Sequence, residues 1–83
     1  MVALDRKSRA ALVGECRWRS RRVGEEVLDE LTARAATLQK LHGYRLHYIL
    51  FSRSGFTTAL ESRAKREGIR LVEGAPPMPA PKR

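Results

Sequence analysis

The run Tyr44–Ser52 constrains this chain most. Leu46, Tyr48, Ile49, Leu50 and Phe51 make it almost continuously apolar. Such a run predicts a strand covered on both faces, as in a sheet with parallel neighbours. A parallel neighbour needs a crossover, and the sequence before the run supplies one. Val27, Leu28, Leu31, Ala35, Leu38 and Leu41 recur at three- and four-residue intervals, which predicts a helix over 23–41 with one apolar stripe. Glu25 and Glu26 near its start and Lys40 near its end suit the helix dipole, and Gly43 suits its C-terminal cap.

Upstream, Val2-Ala3-Leu4 and Ala11–Trp18 flank the polar turn Asp5-Arg6-Lys7-Ser8-Arg9, the pattern of a β-hairpin. A turn centred between Lys7 and Ser8 sets Leu4 opposite Ala11 and Val2 opposite Val13. Downstream, Ser54-Gly55 closes the central strand, and Thr58 with Glu61 suggests a capping box. Phe56, Leu60 and Ala64 form the apolar side of a second helix, with Arg63, Lys65 and Arg66 on the other side. Gly68 ends that helix, and Ile69–Val72 reads as a last strand. The predicted fold is therefore α/β, a small mixed sheet in the order β-β-α-β-α-β with two helices packed on it. The right-handed crossover rule makes the central strand parallel to the one before it. Residues 1–73 form this domain, and 74–83 form a proline-rich basic tail expected to be extended and disordered.

Composition narrows the function classes. A chain of 83 residues makes one small domain, in a size range that buries only about 60% of its unfolded surface. Its single cysteine, Cys16, excludes an internal disulfide and a zinc site of the usual kind. In its apolar strand Cys16 is expected to be a buried small hydrophobe. No apolar stretch approaches membrane-spanning length and no secretion signal is recognisable, so a cytoplasmic location is expected. There is no phosphate-binding glycine loop, which argues against an ATPase. His42 and His47 have no partner at ligand spacing. A net charge of +8 suits a polyanionic partner such as nucleic acid.

The chemistry concentrates in Ala11–Trp18. Residues i and i+2 of a strand share a face, so Glu15 and Arg17 project together. Two readings stand. One is a salt bridge at the end of a buried strand. The other is a carboxylate offering hard oxygens to a divalent metal, with a cation beside it to steady phosphate charge. Arg17, Arg19, Arg21 and Arg22 form the densest basic cluster, a solvated loop or a phosphate-contact patch. Trp18 within it reads as a tryptophan at the edge of the core. Ser52, Ser54 and Gly55 read as a strand-to-helix turn.

The blocks Leu12-Val13-Gly14-Glu15-Cys16-Arg17-Trp18, Val23-Gly24 and Tyr48–Thr57, in this order, resemble an uncharacterised C-terminal domain of prokaryotic AAA-type ATPases. That domain is similar to the PD-(D/E)XK, or restriction-endonuclease-like, nucleases. The resemblance covers about residues 2–73. In that superfamily an acid on one hairpin strand and an (Asp/Glu)-x-Lys on the next bind metal and activate water. The resemblance places Glu15 at the second acid and Arg17 at the lysine, making them the catalytic positions and Glu15 the metal ligand. It also implies magnesium if nuclease activity is retained, and an AAA-type ATPase as a possible partner.

Two departures follow. An arginine keeps its proton and cannot replace lysine as a base. The family's first acid would precede Met1, because the residue facing Glu15 in the predicted register comes before it. Asp5 has the wrong strand parity to substitute. The helix and strand that open the complete fold are likewise missing, so the resemblance implies an N-terminally truncated core. The expectation is a degenerate nuclease-like domain that binds nucleic acid through Arg19, Arg21 and Arg22 without cleavage. The alternatives are a protein-interaction module from an ATPase-associated domain and a nuclease completed by a partner chain. A homodimer through the first strand is expected, since that strand forms a sheet edge.

Overall fold

A computed structural model describes residues 1–74. The elements are β1 (Val2–Asp5), β2 (Ala10–Arg17), α1 (Glu25–Ala36), β3 (Arg45–Ser52), α2 (Thr58–Glu67) and β4 (Arg70–Glu73), with a single 3₁₀ turn at Gln39–Leu41. The sheet order is β1-β2-β3-β4. β1 is antiparallel to β2, whereas β2, β3 and β4 run parallel. This is the mixed α/β arrangement that the order of elements predicts. The hairpin register is also as read, with Val2 opposite Val13 and Leu4 opposite Ala11.

Both crossovers advance across the sheet in the same direction. With the same right-handed sense they place both helices on one face. The core follows that parity. Ala11 and Val13 of β2 and Leu50 of β3 meet Val27, Leu28, Leu31 and Ala35 of α1 and Leu60 of α2. The expectation that β3 is covered on both faces holds over its C-terminal half, where Ile49, Leu50, Phe51 and Ser52 are all buried. Ile49 and Phe51 point away from the helices and lie outside that cluster, although each is only 8% exposed. Gly14 makes room on that face. A Cβ there would collide with the Met1 Cε and lie 3.1 Å from Ile49 Cγ2. Cys16 has the same parity and is exposed, not buried as expected. Flanking apolar residues do not reveal which face the helices take.

α1 is shorter than its stripe. The Thr37 N–H and hydroxyl both bond to the Arg34 carbonyl, at 3.1 and 2.8 Å, and these three-residue closures stop the helix. Leu38 then points outward, while the 3₁₀ turn returns Leu41 to the core. Lys40 therefore sits in the 3₁₀ turn, and Gly43, at φ +85°, turns the chain into β3 instead of capping α1. α2 begins one residue early. Thr57 is its N-cap and accepts from the Leu60 N–H at 3.2 Å, because Phe56 stays extended to bridge Val23. Arg63 leaves the solvent-facing set. It meets Asp29 at 2.8 Å, Glu67 at 3.1 Å and Glu25 at 3.5 Å, fastening α2 to α1. Chiefly through Asp29, this raises its pKa above the ordinary value.

Asp5 closes the hairpin turn, accepting from the Lys7 and Ser8 N–H groups at 3.1 and 3.4 Å. The Ser8 hydroxyl, then these N–H groups, hold its carboxyl below its ordinary 3.8. A lowered folded value stabilises the turn above pH 3.8, and that contribution is lost as pH falls through the folded value. An NMR titration should place the Asp5 midpoint below 3.8; a midpoint at or above it would contradict the turn geometry. Among the described residues no helix is long and apolar enough to cross a membrane. The tail expected beyond Gly74 lies outside the described residues.

Candidate nucleic-acid interface

β2, β3 and β4 deliver their C-terminal ends to one rim, the usual side for ligands in open α/β sheets. Arg17 ends β2 beside Ser52, which ends β3. The chain stays laced beyond both. Arg53 N–H donates to the Arg17 carbonyl at 3.3 Å, and the Ser54 hydroxyl to the Arg19 carbonyl at 2.8 Å. Val23 N–H donates to Gly55 O at 2.9 Å, and Thr57 N–H to Val23 O at 2.9 Å. Gly55 adopts φ +88°, a conformation that favours glycine, to make this join. Ser52 is fully buried, and its hydroxyl accepts from Ser54 N–H. Ser52, Ser54 and Gly55 therefore build the turn, as the sequence suggests. The parallel strands follow one another without reversing direction, so no switch-point crevice opens between these loops. The rim is a surface.

Glu15 and Arg17 share the helix-facing side of β2, as their spacing predicts. Arg17 Nη1 pairs with Glu15 Oε2, and Arg17 Nη2 reaches Glu30 Oε1 at 3.4 Å. Arg34 Nη2 holds the other Glu15 oxygen at 3.2 Å. Glu30 and Arg34 are one helical turn apart on α1 and so reach the same strand end. Their spacing is visible in the sequence, but their meeting with Glu15 depends on how α1 is rotated over the sheet.

These residues do not fit a divalent metal. Both Glu15 oxygens are taken by guanidiniums, which put positive charge where the ion would bind. Asp5 pairs with Ala10 at the opposite end of β2. Among the described residues no three His, Cys, Asp or Glu side chains converge. The arrangement acts as an ion-pair strut from β2 to α1, and each partly exposed pair is worth about 0.2–1 kcal/mol.

The basic cluster divides. Arg19 turns toward Glu26 at 3.6 Å, and its Nε is buried without a hydrogen-bond partner among the described residues. Arg21 and Arg22 are exposed and make no ion pair among the described residues. Arg53 joins them, exposed and likewise without an ion pair there. Local spacing gives no sign of this, because Arg53 is distant from them in the chain and only the parallel register sets it beside Arg17. Trp18 is 48% exposed and outside the core cluster, so it is more open than a core-edge residue.

Compared with known proteins, no family model matches the chain, and neither a curated protein nor a solved structure matches it.

Proposed function

We propose that this chain is a degenerate PD-(D/E)XK-type domain that binds nucleic acid along the strand-end rim without cutting it. The observation that carries this reading is the division of charge at the rim. Glu15 is saturated by Arg17 and Arg34, while Arg21, Arg22 and Arg53 are exposed and make no ion pair among the described residues. Such guanidiniums on an exposed loop are suited to phosphate oxygens. An arginine in place of the lysine does not serve as the base such a nuclease would use.

Plasmid DNA incubated with the protein and Mg²⁺ or Mn²⁺ should remain intact, and a labelled oligonucleotide should bind the protein at low salt. Cleavage that is lost in Glu15→Ala would contradict this reading and favour a nuclease completed by a partner chain.

A second reading, a protein-interaction module, draws on the β1–β2 hairpin. Met1, Leu4 and Leu12, three of the exposed large hydrophobics, lie on it, and β1 is an edge strand of the sheet. Edge strands and exposed apolar groups favour association. The partner is a second copy across a two-fold axis, or the AAA-type ATPase that the resemblance implies. Sedimentation equilibrium at micromolar concentration should give a dimer. A folded monomer there would remove the self-association.

A further inference from the structure

We infer that Trp18 is a base-stacking platform and that the ligand of the rim is single-stranded nucleic acid. This rests on the nucleic-acid reading above. Trp18 is the sole tryptophan of the chain, and a large apolar ring is normally worth burying. Here nearly half of it faces water at the same rim as Arg21, Arg22 and Arg53. Its backbone is held on both sides. The preceding Arg17 carbonyl is bonded by Arg53 N–H, and the following Arg19 carbonyl by the Ser54 hydroxyl. The ring is thus mounted on an anchored segment. Arg21 and Arg22 follow in the same loop, which is pinned again at Val23 by Gly55 and Thr57. An aromatic face and cations on one held loop are the two components of single-strand binding.

The charge balance favours the single strand over the duplex. Arg19 and Arg63 are engaged with acidic side chains, so among the described residues the rim offers three guanidiniums without an ion pair: Arg21, Arg22 and Arg53. Duplex binding that rests on phosphates alone grows with the number of phosphates neutralised. Three leave a duplex weakly held, and its stacked bases present no face to an indole at the rim. An unpaired strand supplies phosphates to the arginines and a base to Trp18 together.

With no other indole in the chain, tryptophan fluorescence reports on Trp18 alone. A short oligothymidylate should quench it on binding, and should bind more tightly than a blunt duplex of the same length. Trp18→Ala should weaken oligothymidylate binding by about 5- to 150-fold while leaving duplex binding unchanged, and Trp18→Phe should restore most of the loss. Binding is followed by anisotropy of a labelled oligonucleotide, so the variants need no intrinsic signal. Undiminished single-strand binding by Trp18→Ala, no quenching at saturation, or a preference for duplex would each overturn the inference and leave the nucleic-acid reading standing. Failure of the parent protein to bind either form at low salt would overturn both.

Discussion

Replacing Leu28 by alanine will remove most of the stability of this domain. Leu28 is fully buried where α1 meets the sheet, in one cluster with Val27, Leu31, Leu50 and Leu60. Truncating a leucine in such a site costs about 2–5 kcal/mol, the lost transfer energy plus the cavity left behind. Domains have about 5–15 kcal/mol in total, and one this small belongs near the lower end. The thermal midpoint should drop by at least about 10 °C. Leu12→Ala is the internal comparison. Leu12 is 37% exposed on the sheet face opposite the helices, so its loss should cost less than about 1 kcal/mol. Circular dichroism melts of both variants give the answer. Equal losses would mean that the second face is covered as firmly as the first.

The Arg21→Ala/Arg22→Ala/Arg53→Ala variant should lose most of its affinity for any nucleic acid, irrespective of sequence. These side chains are exposed and make no ion pair among the described residues, so their removal breaks no described ion pair within the fold. On a single strand, the plot of log K against log salt should flatten by about 0.7 for each arginine removed that contacts a phosphate. Arg19→Ala should act differently. Its guanidinium is held by Glu26, so its replacement should alter stability more than the salt slope. A triple variant with the parent's slope would place the contact surface elsewhere.

The parts legible in the sequence are those where one periodicity dominates. Tyr44–Ser52 could form little but an interior strand, and the turn at Lys7-Ser8 fixed the hairpin register. The end of α1 was not legible, because Leu38 and Leu41 continue the helical spacing after Thr37 has already closed the helix. The exposure of Cys16 was hidden for another reason. Strand parity says that Cys16 and Glu15 face opposite ways, but the crossovers decide which face the helices cover. At the site, Glu15 and Arg17 were readable as a local pair. Arg34 and Glu30 join them only through the rotation of α1 over the sheet, and Arg53 joins Arg21 and Arg22 only through parallel pairing of distant strands. Local spacing carries local contacts, whereas the rim is assembled from two loops that meet only in the folded chain.

The central claim, phosphate binding at the rim, is tested most directly by the salt dependence of oligothymidylate binding to the unmutated protein. Three arginine–phosphate contacts predict a straight line of log K against log salt with a slope of about −2. No binding at low salt, or binding that salt does not weaken, would contradict it.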